Sequence, residues 1–214
     1  MAIDTFRHKG MRKKLADELR GKGISDDKVL QAIEKVPRHF FLDSSFDIIA
    51  YEDRPLPILC EQTISQPRTV AFQTQLLQVK RGEKIMEIGT GSGYQTSVLC
   101  ELGAMVFSIE RHKGLFDKAK KQLAELKYNA KTFLGDGYKG LPTYAPFDKI
   151  LITCGAPEVP PALLEQLKIG GIMVIPVGDT VQEMRRITKI SDTKMKSETF
   201  GNFKFVPMLE NRQF

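Results

Sequence analysis

From residue 84 onward, short apolar segments alternate with amphipathic ones, and this alternation constrains the fold more than any other feature of the sequence. Apolar segments of strand length predict five strands, at 84–88, 105–109, 130–134, 147–153 and 171–176. The segments that end at residue 102 and that cover 115–126 have the spacing of helices. Because strand–helix–strand units cross over with a right hand, this order predicts an α/β fold with a doubly wound, Rossmann-like parallel sheet.

The two ends of the chain depart from this alternation. Two late apolar segments, 186–190 and 203–207, have no helix between them, so we expect them to pair antiparallel at one edge of the sheet. At the other end, Met11, Leu15 and Leu19 have helical spacing, and a second helix is predicted to begin in the segment 25–27 (Ser-Asp-Asp) and to end before Pro37. Residues 50–67 are predicted to be mostly loop, and 69–78 to be a helix.

The composition excludes several classes of protein. Apolar residues make up 42% of the chain, yet no apolar run is long enough for a membrane span, and the first residues lack the features of a signal peptide, so we expect a cytoplasmic protein. Three cysteines and three histidines stand far apart and outside metal-binding motifs, which predicts no metal site. The net charge of +6 is spread along the chain and predicts no nucleic-acid partner.

The glycine-rich loop after the first strand indicates what the sheet binds. Glycines stand at 89, 91 and 93, whereas a dinucleotide site needs its third glycine where Tyr94 stands. Glu87, two residues before the first glycine, offers nothing to a pyrophosphate and would suit a ligand with a cationic end, which is a better interpretation of this residue than an ordinary strand-end acid. S-adenosyl-L-methionine carries an ammonium and a sulfonium and no phosphate, so the loop predicts this cofactor, with S-adenosyl-L-homocysteine as its product.

Two more acidic residues follow the next two predicted strands. Glu110 can accept hydrogen bonds from both ribose hydroxyls, as the acidic residue at a similar spacing does in dinucleotide-binding folds. Asp136 can accept from an adenine amino group, and the Gly137 N–H can donate to a ring nitrogen. Each residue alone would more often be an ordinary loop residue. Three carboxylates after three successive strands predict an adenosine site at the carboxyl edge of the sheet.

Several motifs of the chain resemble those of one family, the protein-L-isoaspartate (D-aspartate) O-methyltransferases. The resemblance covers residues from about 12 to 209 and is strongest at two segments, 62–67 (QTISQP) and 87–96 (EIGTGSGYQT). Further similar segments are GDG at 135–137, APFD at 145–148, PVG at 176–178 and FVP at 205–207. The glycine motif is shared by many methyltransferases, whereas TISQP is much more specific to this family.

The resemblance implies an activity and a domain organisation. The enzyme would transfer a methyl group from S-adenosyl-L-methionine to the free α-carboxylate of L-isoaspartyl residues in damaged proteins, which starts their repair to aspartate. It would be a monomeric methyltransferase with added N-terminal helices. We accordingly expect a single domain over 1–214, with a helical cap and substrate-side segment at 1–80, a cofactor-binding βαβ core at 81–180 and C-terminal strands at 181–214.

The resemblance places the active-site serine on Ser65. A carboxylate is already ionised at neutral pH and needs no general base, so we expect Ser65 to orient it by a hydrogen bond. Judged without the resemblance, a serine before Gln66 and Pro67 is ordinary helix-cap chemistry, and this alternative stays open. We assign thirteen residues to the cofactor site: Ile64, Ser65, Gln66, Glu87, Gly89, Thr90, Gly91, Ser92, Gly93, Glu110, Arg111, Asp136 and Gly137.

The chain departs from the family pattern next to this site. Ile58, Leu59, Cys60 and Glu61 stand where the family usually has an Ile-Gly-x-Gly sequence, and Arg68 and Thr69 replace an aromatic residue and a methionine. These differences are expected to affect which peptides the protein prefers more than how it binds the cofactor. Two other functions stay open on the sequence: a methyltransferase of the same fold that acts on a small molecule or a nucleic acid, and a non-catalytic binding module, which the three acidic residues disfavour.

Overall fold

The computed structural model describes residues 3–213, and a mixed seven-stranded sheet forms its centre. The strands lie in the order β5-β4-β3-β6-β7-β8-β9. Their bounds are β3 Lys84–Ile88, β4 Met105–Glu110, β5 Lys131–Leu134, β6 Phe147–Ile152, β7 Leu167–Val177, β8 Gln182–Lys189 and β9 Met195–Phe203. The neighbours from β5 to β7 pair parallel and those from β7 to β9 pair antiparallel, which confirms the predicted α/β sheet with an antiparallel C-terminal edge.

Within residues 3–213, three α-helices precede this sheet and three more connect its strands. Thr5 caps the first helix and Asp26 caps the second, as the acidic side chain before the apolar spacing predicts. The helix bounds are α1 Phe6–Gly21, α2 Asp27–Lys35, α3 Pro67–Leu77, α4 Tyr94–Glu101, α5 Lys113–Glu125 and α6 Pro161–Glu165. No helix among residues 3–213 combines the length and the apolar composition that a membrane span requires.

The position predicted for the last strand is wrong. The strand β9 covers Met195–Phe203, whereas the prediction placed it at 203–207. No residue of β9 is fully buried, because an edge strand is held by its backbone pairing with β8 and needs little apolar sequence. After Phe203 the chain leaves the ladder, the Phe205 N–H donates to the Gln182 side chain over 2.9 Å, and the chain crosses the carboxyl edge of the sheet.

The segment 50–67, predicted to be mostly loop, contains a small antiparallel pair of strands. They are β1, Leu56–Pro57, and β2, Thr63–Ile64. Each strand has only two residues, too few for a period-two pattern to be visible in the sequence. The pair brings Ser65 to the start of α3 and holds it beside the glycine loop.

The core lies on both faces of the sheet, and alternate residues of one strand face opposite sides. Met86 and Ile88 of β3 join an apolar cluster with β4, β6 and β7, whereas Ile85 joins the cluster beneath α3 and α4. A third cluster unites α1, α2 and α3. Burial on both faces fixes the carboxyl ends of β3, β4, β5 and β6 at one edge, where the loops that follow them meet.

Candidate active site

The glycine-rich loop turns back from the end of β3 onto the end of β4. The Gly89 and Thr90 N–H groups both donate to the Ile109 carbonyl, over 2.9 and 3.1 Å. The φ angle of Gly89 is 92°, and a Cβ at this position would lie 2.5 Å from Thr153 Oγ1. The loop therefore requires glycine at 89 for both its conformation and its close approach to β6.

Glu110 is fixed at the end of β4 with both carboxylate oxygens held by backbone donors. Its Oε2 accepts from the Gly91 N–H over 2.8 Å, and its Oε1 accepts from the His112 N–H over 2.9 Å. Glu110 is 4% exposed and lines the principal cleft, the pocket at the carboxyl edge of the sheet that is also lined by Ile88, Gly89 and Met208. Each carboxylate oxygen has a second lone pair, so Glu110 can still accept from two adjacent hydroxyls, as predicted for a ribose.

Glu87 is brought to the same strand end, but it faces away from the cleft. It is fully buried on the helix-covered face of β3, where Oε2 accepts from Thr96 Oγ1 over 2.5 Å. Burial raises the pKa of Glu87 to about 7, and its Oε1 has no hydrogen-bond partner among residues 3–213. Direct contact between Glu87 and a ligand therefore stays a prediction. In the structure its carboxyl group lies beneath the glycine-rich loop.

Asp136 and Gly137 follow β5, and they take different positions. Gly137 lines the cleft, where an added Cβ would meet Ile88 and Met208, so the missing side chain keeps this wall open. Asp136 lies behind it and accepts from the Tyr138 N–H over 2.9 Å and from the Asn211 N–H over 3.1 Å. The predicted adenine contact of Asp136 thus stays a prediction, while the contacts in the structure are to the backbone.

A segment after β9, which we call the C-terminal strap (residues 205–213), closes one side of the cleft. Arg111 holds it: Nε donates to the Asn211 carbonyl over 3.1 Å and Nη2 to the Glu210 carbonyl over 3.2 Å. The Gln213 N–H donates to the Arg111 carbonyl over 2.9 Å. Arg111 also lines the cleft, as predicted, but its guanidinium is engaged by the strap.

The principal cleft contains about 620 Å³ of empty space, part of which is open to solvent. Its walls combine the Glu110 carboxylate with apolar side chains of Ile109, Leu115 and Met208. A carboxylate beside an apolar slot suits a nucleoside, with hydroxyls on one side and a flat base on the other. The residues present therefore fit the predicted cofactor.

A second cavity of about 360 Å³ adjoins the first, and Thr63, Gly89, Gly91 and Thr153 line both. Ser65 lines this second cavity and is partly exposed. Within residues 3–213 its hydroxyl has no protein hydrogen bond. Gln66 occupies the N-cap position of α3, and its side chain makes no capping hydrogen bond. The Arg68 N–H in the first turn of the helix donates instead to Asp53 over 2.8 Å.

These contacts exclude the helix-cap alternative for Ser65 and leave its hydroxyl free for a ligand. Of the thirteen assigned residues, nine line one cavity or both: Ile64, Ser65, Gly89, Thr90, Gly91, Ser92, Glu110, Arg111 and Gly137. The other four line neither: Gln66, Glu87, Gly93 and Asp136. Gly93 instead takes a φ of 88° at the start of α4, and a Cβ there would meet Leu123 at 3.4 Å.

Sequence reasoning missed several residues that line the principal cleft. Thr153 and Cys154 follow β6, so the rule that ligands lie at the carboxyl ends of parallel strands could have found them. Met208 and Leu209 belong to the C-terminal strap, and no local pattern indicated that this segment crosses the site. Burial raises the pKa of the Cys154 thiol to about 12, so it stays protonated at neutral pH.

The residues that replace the family's glycine-rich stretch form the turn between β1 and β2. Cys60 and Glu61 both adopt left-handed conformations, with φ of 59° and 55°, which glycine adopts without strain. The Ile58 N–H donates to the Gln62 carbonyl over 2.9 Å and closes the turn. The exposed side chains of Cys60 and Glu61 line a cavity together with Arg111 and Leu209, which also line the principal cleft, so they stand beside the site where glycines would leave open space.

Comparison with known families and proteins gives one consistent answer. The family described as "Protein-L-isoaspartate(D-aspartate) O-methyltransferase" matches residues 10–213. A protein-L-isoaspartate O-methyltransferase of Christiangramia forsetii is 56% identical over 210 residues, which cover 98% of this chain and 99% of that protein. One from Dictyoglomus thermophilum is 46% identical over 208 residues, with 96% and 94% coverage.

Solved structures agree with the sequence comparison. A protein-L-isoaspartate O-methyltransferase superimposes with a TM-score of 0.86 at 29% identity, over 94% of this chain and 66% of that one. A β-aspartate methyltransferase structure from Plasmodium falciparum, in complex with S-adenosyl-L-homocysteine, superimposes with a TM-score of 0.83 at 27% identity. This second match covers 94% of this chain and 99% of that one.

Proposed function

The chain belongs to the protein-L-isoaspartate O-methyltransferase family, and from this premise we propose where its substrates bind. Its activity is methylation of L-isoaspartyl residues, which starts the repair of damaged proteins, and its cofactor is S-adenosyl-L-methionine, with S-adenosyl-L-homocysteine as the product. Its substrates are isoaspartyl-containing proteins and peptides. The roles of individual residues are the part that we propose.

We propose that the principal cleft holds the cofactor. Glu110 would accept from the ribose hydroxyls, Gly137 would leave room for the base, and Gly89 and Gly91 would let the backbone approach the rest of the molecule. Bound there, the cofactor supplies a methyl group on a positively charged sulfur. The burial of Glu110, with two backbone N–H groups orienting its carboxylate, supports this assignment.

The isoaspartyl carboxylate would lie in the second cavity, against the Ser65 hydroxyl. A carboxylate of this kind has a pKa near 3.5 and is ionised at neutral pH, so no residue has to remove a proton from it. The negative carboxylate and the positively charged sulfur of the cofactor both become neutral as the methyl group is transferred. The chain's residues would therefore act by holding the carboxylate in line with the methyl group and by excluding water.

The free Ser65 hydroxyl, in a cavity that shares a wall with the cofactor cleft, is the observation that carries this placement. Methyl transfer to a peptide with one isoaspartyl residue tests the function, with the matched aspartyl peptide, tRNA and small phenols as competing acceptors. We expect transfer to the isoaspartyl peptide alone. Transfer to tRNA or a phenol, with none to that peptide, would support the alternative methyltransferase functions instead.

Other features of the protein stay predictions. We propose that residues 1–214 act as one domain, which the continuation of the core sheet into β8 and β9 supports. The divisions at residues 80 and 180 remain an interpretation of the sequence, as do a monomeric state, a cytoplasmic location and the lack of a nucleic-acid partner. Size-exclusion chromatography with light scattering would test the monomeric state.

A further inference from the structure

A buried arginine lies directly behind the proposed carboxylate site. Arg38 is fully buried in the short helical turn after α2, and its guanidinium donates to three backbone carbonyls. Nε donates to the Ala50 carbonyl over 3.0 Å, Nη1 to the Ser65 carbonyl over 2.9 Å, and Nη2 to the Arg54 carbonyl over 3.4 Å. One of these bonds thus connects the charge to the residue that faces the substrate.

A second contact brings the same charge to the wall of the cavity. The Arg38 guanidinium lies 5.1 Å from the centre of the Tyr94 ring, and Tyr94 lines the second cavity together with Ser65. The positive group is therefore separated from the cavity by one peptide unit on one side and by one aromatic ring on the other. Arg38 and Tyr94 are both almost fully buried, so solvent screens the charge only weakly.

The charge of Arg38 has no direct counter-ion in the described part of the chain. None of the carboxylates of residues 3–213 lies within ion-pair distance of it, whereas the other buried arginine, Arg12, pairs with Asp4 over 2.7 Å. The carboxylate that acts on Arg38 from further away is Asp53, which itself pairs with Lys22 over 2.8 Å. A buried charge is usually paired, because an unpaired charge loses its hydration without compensation.

We propose that Arg38 is a specificity-determining residue for anionic acceptors: its unpaired charge attracts the isoaspartyl carboxylate to Ser65 without contacting it. This inference rests on the proposed position of the carboxylate. A direct ion pair would hold the nucleophile too firmly to react, whereas a charge behind the peptide unit raises the affinity for an anion and leaves its oxygens free. A neutral amide in the same place would gain nothing from Arg38.

The position of the charge also predicts which kinetic constant depends on it. The carboxylate loses its negative charge as the ester forms, so a positive field stabilises the bound acceptor more than the transition state. Loss of the Arg38 charge should therefore raise KM for the peptide and should not lower kcat. A residue that only supported the fold would affect both constants, and would affect neutral and anionic ligands alike.

The test measures peptide binding to the full-length protein saturated with S-adenosyl-L-homocysteine. One labelled peptide carries an L-isoaspartyl residue, and its partner carries the same residue with the α-carboxylate replaced by a carboxamide. We compare wild type with Arg38→Met and Arg38→Lys. Both variants lose the bridge that the guanidinium forms between the Ala50, Ser65 and Arg54 carbonyls, although only the lysine variant keeps the charge. Arg12→Met serves as the control, because Asp4 already neutralises the charge that it removes.

We expect wild type and Arg38→Lys to prefer the anionic peptide, and Arg38→Met to lose at least tenfold of that preference. A preference that survives in Arg38→Met would overturn the role of Arg38 and leave the carboxylate site standing. Equal binding of the two peptides by wild type would overturn both the role and the proposed site. A preference lost equally in the methionine and lysine variants would show that the bridge matters rather than the charge.

A second variant keeps the test decisive if Arg38→Met does not fold. Asp53→Asn removes a negative charge whose side chain is 6% exposed, whereas its partner Lys22 is 40% exposed and screened by solvent, so Asp53 still opposes Arg38 in the wild type. The remaining side-chain oxygen can still accept from the Arg68 N–H. We expect the preference for the anionic peptide to rise several-fold in this variant. An unchanged preference would show that charges behind Ser65 do not act on the acceptor, which would overturn the inference.

Discussion

Replacing Ser65 by alanine separates an orienting role from a structural one. The Ser65 hydroxyl makes no hydrogen bond within residues 3–213, and in the first turn of α3 the Arg68 N–H donates to the Asp53 carboxylate. Removing a partly exposed hydroxyl without a partner should change the free energy of unfolding by less than about 0.5 kcal/mol. We therefore expect Ser65→Ala to melt within about one degree or two of wild type, since 1 kcal/mol shifts the Tm of a domain of this size by about 2–4 °C.

The effect on catalysis should be much larger than the effect on stability. Ser65 acts by aligning the carboxylate with the methyl group, so its loss should lower kcat tenfold or more, on the order of 1.4 kcal/mol of transition-state stabilisation. Affinity for S-adenosyl-L-homocysteine should stay near wild type, because Ser65 lines the second cavity and not the principal cleft. Residual activity should remain, since the carboxylate needs no deprotonation.

The assay measures methyl transfer to an isoaspartyl peptide at saturating cofactor, well below the melting temperature. Asp26→Ala provides the matched control, because Asp26 is a true helix cap that accepts from the Lys28 N–H over 2.9 Å and from the Val29 N–H over 3.3 Å. This control should lose about 1 kcal/mol of stability and keep its kcat. Wild-type kcat and KM in Ser65→Ala would refute the orienting role.

Four further predictions follow from other contacts of the site. Glu110→Gln should weaken binding of S-adenosyl-L-homocysteine by about 1.5–3 kcal/mol in titration calorimetry, because a charged acceptor is lost; unchanged affinity would refute the ribose assignment. Gly89→Ala should destabilise the protein by at least about 1–2 kcal/mol, since its φ is 92° and its Cβ would meet Thr153 Oγ1 at 2.5 Å; an unchanged Tm would contradict this. Burial raises the pKa of Glu87 to about 7 from 4.5, so its contribution to stability is complete below pH 4.5 and about 3 kcal/mol is lost as the pH rises to 7. Glu87→Gln should therefore gain stability relative to wild type over that range in urea unfolding, and a pH-independent difference would exclude the raised pKa. Arg111→Gln should speed amide hydrogen exchange in residues 208–213 at least tenfold, because the side-chain bonds to the strap are lost; unchanged exchange would show that other contacts hold it.

The antiparallel edge of the sheet shows where sequence patterns stop being informative. Apolar alternation located β3 and β4 to within one residue, because strands buried on both faces need apolar side chains throughout. The same approach placed the last strand at 203–207, and it actually covers Met195–Phe203. An edge strand is specified by the neighbour that it pairs with, and this information lies in β8.

The carboxylates show the same division at the level of single residues. Spacing alone brought Glu110 and Gly137 to the cleft, since both follow parallel strands whose carboxyl ends must meet. It could not say that Glu87 points to the opposite face of β3 or that Asp136 binds the backbone of the strap. Those outcomes depend on which side of the sheet each side chain leaves and on what packs against it.

The sequence by itself determined the α/β sheet, the glycine loop and the class of ligand, because strand and helix periods and the conformational demands of glycine act over a few neighbouring residues. Only the tertiary structure decided that the Ser65 hydroxyl is free. The Arg68 N–H at the start of α3, which a capping serine could have bound, donates instead to Asp53 on a different loop. Only the tertiary structure also placed the charge of Arg38 behind that serine, 27 positions along the chain. Contacts between residues so far apart arise from packing, and no local pattern encodes them.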